Sequence, residues 1–379
     1  MYCDRCGVAN RSEARFCRSC GAELHPVVGI SGAGDRDGSP ADAHREPNDN
    51  VPSAVRAALS DDFEVLDLIG RGGMGSVYRA TERSLDRPVA IKVLPEEVSE
   101  NPVRIRRFLR EARLAARLRH PNIVSIHAVG ERGGLHFFTM DLIEGESLVA
   151  HVTRIQASGQ QSPGRARSLI ERVVDAVRFA HGEGVIHRDL KPSNIMVDRD
   201  NSPIVLDFGL ATAKETSNLT VEGAVLGTPK YMSPEQVKGE ASSPAGDVYA
   251  LGLIYYFVMT GDDLVRGKST GEIAAQHLEA DFRPRVDRDS RVPALDAQLI
   301  LRMIDRSPER RPSLAQVLAE LRQIDKAPDQ FDDTISMADP DRGDLEAPET
   351  SAPRARARDR MKRLIDQLDR DRRDGGEGS

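Results

Sequence analysis

The spacing of apolar and polar positions separates a densely patterned middle of the chain from two polar flanks. From residue 63 to about 324, apolar residues recur at strand and helix spacing, with short turn signals between them. Three strands are predicted in the first part of this region, at Phe63–Ile69, Ser76–Ala80 and Val89–Leu94. An Arg-rich helix is predicted over Arg104–Arg119, and helical patterns dominate after Gly145. The pattern therefore predicts an α+β fold, with a small β-rich lobe followed by a larger helical lobe.

The flanking segments differ from the middle in composition. Residues 1–24 hold the cysteines, and residues 25–60, rich in Gly, Asp, Pro and Ser, predict a flexible linker. Residues 325–353 form an acidic linker that we expect to be disordered. Residues 354–379 form a charged tail, in which the spacing of the apolar side chains predicts a short amphipathic helix. That helix either docks on a partner or frays, because one short helix is marginal alone.

Charge and hydropathy narrow the classes of function. The 379 residues include 53 basic and 60 acidic side chains, a net charge of −7, which disfavours nucleic-acid binding. The longest nearly apolar run, Tyr249–Met259, has eleven residues, whereas a membrane-spanning helix needs about twenty. The N-terminus has no apolar signal core. We therefore expect a cytoplasmic protein with no membrane span and no nucleic-acid partner.

All four cysteines lie in two identical knuckles, Cys3-x-x-Cys6-Gly7 and Cys17-x-x-Cys20-Gly21. Four thiolates satisfy the tetrahedral coordination of Zn²⁺, and each glycine permits the tight turn that brings two sulfurs to one ion. Disulfides or a redox pair are the alternatives, but the paired spacing favours a structural zinc ribbon. The ribbon sequence carries little net charge, so we expect it to contact a regulatory protein rather than nucleic acid.

A glycine-rich segment follows the first predicted strand. Residues 70–77 contain Gly-x-Gly-x-x-Gly-x-Val, a motif that dinucleotide-binding folds also carry before a helix. Here the sequence after Gly75 alternates like a strand, so we expect the loop to join two strands and to fold its amides over phosphates. Lys92 ends the next apolar strand and needs an anion there, for which phosphate is the candidate. Glu111, on the inward border of the Arg-rich helix, is either the ion-pair partner of Lys92 or a solvated surface residue.

Two further motifs lie in the helical region. Ile186–Asn194 has the sequence Ile-His-Arg-Asp-Leu-Lys-Pro-Ser-Asn, and Asp207-Phe208-Gly209 follows a predicted strand at Ile204–Leu206. Together with the glycine loop and the strand lysine, this set resembles the signature of protein kinases, in order and at normal spacing. The resemblance covers residues 63–324 and in detail is similar to the bacterial Hanks-type (eukaryotic-like) serine/threonine kinases. It implies the bilobal protein-kinase fold, ATP as phosphoryl donor, Mg²⁺ or Mn²⁺ as metal, and Ser/Thr hydroxyls of protein substrates as acceptors.

The resemblance implies a catalytic role for four residues of these motifs. Asp189 would accept or orient the proton of the substrate hydroxyl, and Lys191 would neutralise the γ-phosphate. Asn194 and Asp207 would supply oxygens to the metal ion. A lysine two residues after the aspartate is similar to the Ser/Thr class rather than the Tyr class.

The resemblance also implies a nucleotide site between the lobes. Lys92 would hold the α- and β-phosphates and would be oriented by Glu111. The residues implied to bind the nucleotide are Ile69, Gly70, Gly72, Gly73, Gly75, Val77, Ala90, Lys92, Met140, Asp141 and Ile143. Met140 would be the gatekeeper, and backbone groups of Asp141 and Ile143 would bind adenine.

Other parts of the motif set imply structural and regulatory roles. Glu235 is expected to pair with Arg311 in a buried bridge, and Asp247 to accept backbone N–H groups of the 186–194 loop. The candidates for autophosphorylation are Thr216, Ser217 and Thr220. One departure from the family is the sequence at 262–265, Asp-Asp-Leu-Val, where Pro-Phe is common.

The leading hypothesis is an active serine/threonine kinase, with activation-segment autophosphorylation, in cytoplasmic signalling. The alternative is a catalytically weak nucleotide-binding scaffold that acts through protein contacts of the zinc ribbon. A third hypothesis, in which the ribbon tethers the chain to nucleic acid, is disfavoured by the small charge of the ribbon.

Overall fold

The computed structural model describes residues 51–72, 75–94, 102–208, 229–267 and 269–326, without the side chains of residues 102–104, 107 and 111. An antiparallel sheet makes up most of the first lobe. Its strands are β1 (Phe63–Gly72), β2 (Gly75–Glu82), β3 (Arg87–Val93), β4 (Ile126–Arg132) and β5 (Leu135–Asp141), in the spatial order β1-β2-β3-β5-β4. Helix α1 (Ser53–Leu59) precedes the sheet, and α2 (Pro102–Ala115) lies between β3 and β4.

The two faces of the sheet pack into different cores. Val89, Ile91 and Val93 of β3 belong to a cluster on the outer face, whereas Ala90 belongs to the main core between the lobes. Because successive side chains of a strand point to opposite faces, Lys92 shares the inner face with Ala90. The alternation of β3 therefore directs its lysine toward the second lobe.

Helix α1 covers the outer face and lies within residues 25–60, the range predicted as a linker. Val55 and Leu59, one helical turn apart, are buried in the cluster that contains Phe63 and Phe137. The rings of Phe63 and Phe137 meet edge to face, with centroids 5.9 Å apart. A seven-residue helix is marginal in isolation. It forms here because it docks on the sheet, which a local sequence pattern does not reveal.

The second lobe is mainly helical. Its helices are α3 (Leu148–Ala157), α4 (Pro163–Gly182), α5 (Pro234–Val237), α6 (Pro244–Thr260), α7 (Thr270–Glu279), α8 (Arg283–Asp287), α9 (Ala294–Met303) and α10 (Leu314–Lys326). A small antiparallel sheet faces the first lobe, with strands β6 (Gly145–Ser147), β7 (Ile195–Asp198) and β8 (Pro203–Val205) in that order. The predicted α+β arrangement of a small strand lobe and a larger helical lobe is confirmed.

Helix α6 is the centre of the second lobe. Every residue from 246 to 260 is buried, so the apolar run Tyr249–Met259 packs against protein on all sides. Within the described residues, none of the helices has both the length and the hydropathy that crossing a membrane requires. Helix α2 ends at Ala115, four residues before its predicted end, because the chain tightens into bonds from Arg117 N to Leu114 O and from Leu118 N to Ala115 O.

Candidate active site

Asp247 fixes the backbone of the loop that carries Asp189. Its buried carboxylate accepts the N–H of His187 at 2.9 Å and the N–H of Arg188 at 3.0 Å. Nε2 of His181 lies 2.7 Å from the same carboxylate. Arg188 has a φ of 70°, a left-handed conformation that costs energy in a non-glycine residue and that the hydrogen bonds to Asp247 help to hold. The contact predicted between Asp247 and this loop is confirmed.

His187 joins this loop to the segment that carries Asp207. Its ring is fully buried, and Nε2 lies 2.9 Å from the carbonyl oxygen of Leu206. The same ring contacts Phe208, with centroids 4.8 Å apart. Two segments distant in sequence are therefore held together just before Asp189 and on both sides of Asp207.

Asp189, Lys191 and Asn194 form one hydrogen-bonded group. Nζ of Lys191 lies 2.7 Å from Oδ2 of Asp189, and Nδ2 of Asn194 donates to the Asp189 carbonyl at 2.7 Å. The turn Pro192–Asn194 brings Asn194 back toward Asp189. The Asp189 carboxylate stays partly exposed, so it is accessible to a ligand in the cleft.

Lys92 reaches across to the second lobe. Its Nζ lies 2.7 Å from Oδ1 of Asp207, and its side chain is only 5% exposed. A buried ammonium group needs an anionic partner, and Asp207 provides one here. Asp207 itself has a φ of 59°, in the left-handed region. The strand lysine and the Asp-Phe-Gly aspartate, 115 positions apart in sequence, are thus in direct contact.

The glycine-rich segment is a hairpin, as the alternation after Gly75 predicts. Gly72 of β1 pairs with Gly75 of β2, and Gly70 pairs with Val77. Gly75 has a φ of 119°, and a Cβ there would lie 2.1 Å from the carbonyl oxygen of Val93. Only glycine fits this position, where β2 meets the end of β3.

Met140, Asp141 and Ile143 lie where the chain leaves β5 for the second lobe. Met140 is buried and pairs in register with Ala90. Asp141 has its carboxylate 2.8 Å from Nε2 of His127. An apolar cavity next to Asp207 is lined by Ala115, Ile123, Val124, Ile126, Phe138, Met140 and Phe208. Met140 therefore lies in the wall of the apolar cavity next to Asp207.

The predicted Glu235–Arg311 bridge is confirmed. Nη1 and Nη2 of Arg311 lie 2.7 and 2.8 Å from the two carboxylate oxygens of Glu235. Burial opposes ionisation of Glu235, but the hydrogen bonds from Arg311 outweigh it and lower the pKa of this carboxyl. The pair ties the start of α5 to the loop before α10.

Comparison with known families agrees with this geometry. Residues 63–321 match the family model of the protein kinase domain, and residues 2–24 match that of the zinc-ribbon domain. The chain belongs to the protein kinase family. Its two lobes are the bilobal kinase fold, and an N-terminal zinc ribbon precedes them.

Several bacterial relatives are similar to this kinase chain. The serine/threonine-protein kinase PrkC of Bacillus subtilis is 37% identical over 258 residues, which cover 68% of this chain and 39% of the relative. The serine/threonine-protein kinase pkn3 of Myxococcus xanthus is 39% identical over 284 residues, covering 72% and 51%. The serine/threonine-protein kinase PknB of Mycolicibacterium smegmatis is 38% identical over 283 residues, covering 72% and 44%. The kinase chain thus spans about two fifths to one half of these relatives.

Some predicted residues lie outside the described part of the kinase chain. These are Gly73, the side chain of Glu111, the candidate phosphorylation sites Thr216, Ser217 and Thr220, and the cysteines Cys3, Cys6, Cys17 and Cys20. The linker at 325–353, beyond its first two residues, and the tail at 354–379 lie outside it as well. The predicted Lys92–Glu111 pair therefore stays a prediction, and the described partner of Lys92 is Asp207.

Sequence reasoning missed three contacts of the kinase domain near Asp189. Nε2 of Gln236 donates to the Arg188 carbonyl at 2.7 Å. His277 lies 2.9 Å from the Pro229 carbonyl, and the Asp263 carboxylate contacts the two residues after Pro229. Each contact joins residues 32 or more positions apart in sequence, so no local pattern signals it.

Proposed function

We propose that this chain is a serine/threonine protein kinase that transfers the γ-phosphoryl group of ATP to hydroxyls of protein substrates. One observation carries the proposal: Lys92 contacts Asp207 across the cleft, next to the loop in which Asp189, Lys191 and Asn194 are hydrogen-bonded together. The names of the relatives support the choice of serine and threonine as acceptors.

Asp189 is proposed to orient the attacking hydroxyl and accept its proton. The rigid backbone around it, held by Asp247 and His187, supports a fixed direction for the carboxylate. Lys191, already 2.7 Å from that carboxylate, places a positive charge beside the same spot. Such a charge stabilises negative charge that develops on the transferred phosphoryl group.

A kinase domain implies ATP and a divalent metal ion, and the donors around Asp207 fit such an ion. Because Nδ2 of Asn194 is bonded to the Asp189 carbonyl, the amide oxygen of Asn194 is left for another partner. Asn194 and Asp207 would therefore hold Mg²⁺ or Mn²⁺ through hard oxygen ligands. When bound, the ion would supply charge neutralisation on the phosphates.

The nucleotide is proposed to bind under the glycine hairpin. Lys92, oriented by Glu111, would bind the α- and β-phosphates, and the amides of Gly70, Gly72 and Gly73 would lie over them. Backbone groups of Asp141 and Ile143 would bind adenine, with Ile69, Val77, Ala90 and Met140 contacting its faces and inner edge. Gly75 supports this proposal, because its backbone admits no side chain.

The zinc ribbon is proposed to hold one structural Zn²⁺ through Cys3, Cys6, Cys17 and Cys20. The match of residues 2–24 to the zinc-ribbon model supports this assignment. Its proposed partner is a regulatory protein. The cytoplasmic location and the autophosphorylation of Thr216, Ser217 or Thr220 stay predictions.

The scaffold alternative is not favoured. Lys92, Asp189, Asn194 and Asp207 are all present, and the relatives are named as kinases. A nucleotide-binding scaffold would tolerate the loss of Asp189, which the transfer step alone requires.

The test is transfer of label from γ-labelled ATP, with Mg²⁺, to a generic basic protein and to the chain itself. We expect label on serine and threonine with the parent, and background label with Asp189→Asn and Asp207→Asn. Asp200→Asn, a change of the same kind at an exposed turn, serves as the control and should leave transfer unchanged. Absence of transfer by the parent, or label on tyrosine alone, would contradict the proposal.

A further inference from the structure

The turn Pro229–Tyr231 lies at the edge of the cleft that holds Asp189. Tyr231 and the next residue, Met232, line the same pocket as Asp189. A protein substrate whose hydroxyl reaches Asp189 would bring its neighbouring residues close to this turn. Side chains and charges on the turn therefore affect which sequences can bind.

Asp263 contacts both of the last two residues of this turn. Its Oδ2 lies 2.6 Å from Nζ of Lys230, and its Oδ1 accepts the hydroxyl of Tyr231 at 2.6 Å. Asp263 belongs to the Asp-Asp-Leu-Val sequence at 262–265, which departs from the Pro-Phe common in the family. This departure from the family sequence introduces a carboxylate, and both of its oxygens contact side chains of the turn.

The charge balance of the turn depends on this carboxylate. Burial raises the pKa of the Tyr231 phenol, and the charge of Asp263 raises it further, so the phenol stays protonated and neutral. Lys230 then supplies the positive charge and Asp263 the negative charge of a local pair. Both side chains are about one quarter exposed, so the pair faces solvent at the edge of the cleft.

A second anchor holds the turn independently of Asp263. Nε2 of His277 donates to the Pro229 carbonyl at 2.9 Å, while its Nδ1 accepts the hydroxyl of Tyr249 at 2.9 Å. His277 is fully buried on α7, and Tyr249 on the central helix α6. The backbone of the turn therefore keeps an anchor when the charge of Asp263 is removed.

We propose that Asp263 is a specificity-determining residue, which neutralises Lys230 and so prevents this edge of the cleft from favouring acidic peptides. This inference rests on the proposed kinase function. The parent is expected to accept uncharged residues around the acceptor hydroxyl at least as well as acidic ones. Removal of the Asp263 charge leaves Lys230 as a cation without its described counter-ion.

The test measures KM and kcat on a set of peptides. In each acidic peptide, one glutamate occupies a different position beside the acceptor hydroxyl, and the matching neutral peptide has glutamine at that position. Asp263→Asn keeps an oxygen for Tyr231 but removes the charge. At one or more positions, we expect it to lower the KM of the acidic peptide relative to the neutral one by about threefold, the size of a partly exposed charge interaction. The kcat on the neutral peptide should stay close to that of the parent.

Two further variants separate charge from structure. Asp262→Asn is the matched control, because Asp262 is bonded to Arg291 and Arg266 instead, and it should leave the KM ratio unchanged. Adding Lys230→Gln to Asp263→Asn should return the ratio to that of the parent. An equal change for acidic and neutral peptides, or no change at any position, would overturn the inference. A parent that phosphorylates no peptide or protein would refute the proposed function instead.

Discussion

Arg311 makes several buried contacts from the loop before α10. Its guanidinium bonds both carboxylate oxygens of Glu235, donates to the Ala245 carbonyl at 2.8 Å, and lies 5.0 Å from the ring centroid of Tyr249. The Arg311 guanidinium and the Glu235 carboxylate are both buried, so the loss of either leaves the charge of the other without compensation. The planar guanidinium group of arginine bonds both oxygens of the carboxylate at once, whereas the ammonium group of a lysine would not bind in this bidentate geometry.

The change Arg311→Ala is expected to lower the free energy of unfolding by about 3–5 kcal/mol, because it leaves the Glu235 carboxylate buried without its counter-ion. Chemical denaturation at neutral pH measures this. The exposed pair Arg322–Glu171 offers a control, where Arg322→Ala should leave the free energy of unfolding nearly unchanged. Similar losses for the two variants would contradict the assigned role of the buried pair.

Sequence reasoning predicted residue contacts where a motif defines both partners. The Glu235–Arg311 bridge and the Asp247 bonds follow from the family pattern and are confirmed. The contacts of Asp263 were not predicted, because they depend on the path of a loop that departs from that pattern. Folded geometry alone brings that carboxylate to the turn at Pro229–Tyr231.

At the scale of the elements, α6 and α9 approach each other closely at Gly252. A Cβ on Gly252 would lie 2.7 Å from a methyl group of Ile304 and 2.9 Å from Cβ of Met303. Gly252 therefore fixes the spacing of the two helices, and any larger residue must push them apart.

We expect Gly252→Ala to destabilise the kinase domain by about 1–3 kcal/mol through overpacking, despite the better helix propensity of alanine. Gly164 in α4 provides the comparison, because a Cβ there meets nothing within 4 Å. Gly164→Ala should be neutral or slightly stabilising. Thermal unfolding of the two variants beside the parent checks the difference, and a stabilised Gly252→Ala would refute the close-packing argument.

Helix α7 meets the turn at Pro229 through a histidine that must stay neutral. Burial lowers the pKa of His277 from 6.5 to about 4, although its hydrogen bond to the Pro229 carbonyl acts in the opposite direction. Since the folded-state pKa lies below the unfolded value, this stabilisation is complete above pH 6.5 and is lost as the pH falls toward 4.

The free energy of unfolding should therefore lose about 2 kcal/mol between pH 7 and pH 5 through His277. The variant His277→Gln has no titrating ring at this position. Its free energy of unfolding should therefore fall less between pH 7 and pH 5 than that of the parent, even if the variant is less stable than the parent at pH 7. Denaturant titrations at the two pH values measure both slopes. Parallel slopes for parent and variant would show that His277 does not titrate on unfolding.

Element prediction succeeded where short apolar runs are separated by turns that contain glycine or proline, as in β1 to β3. It missed α1, whose seven residues carry too little pattern to predict a helix before the sheet on which they dock is known. It also placed the end of α2 four residues late, since the tightened turn after Ala115 leaves the apolar spacing nearly unchanged.

At the scale of the whole molecule, two family models match separate parts of the chain. The zinc-ribbon match ends at residue 24 and the kinase match begins at residue 63. The described structure adds α1 to the kinase lobe, so the folded part extends upstream of the kinase match.

Metal analysis of the purified full chain should find about one zinc per chain. Cys17→Ser should lower the zinc content of the chain, because a tetrahedral site loses one thiolate ligand. A chelator should also remove the zinc more easily from this variant than from the parent. His25→Ala, next to the ribbon but outside the predicted ligand set, should retain the parent value. Full zinc content after Cys17→Ser would contradict the four-cysteine site.

The most direct test of the kinase assignment compares phosphoryl transfer with ATP binding in the parent and in Asp189→Asn. If Asp189 orients the hydroxyl and accepts its proton, the variant should lose about 10²- to 10⁴-fold in kcat while its ATP affinity stays within a few-fold of the parent. Transfer that survives the substitution, or a parent that binds ATP without transferring its phosphoryl group, would contradict the account.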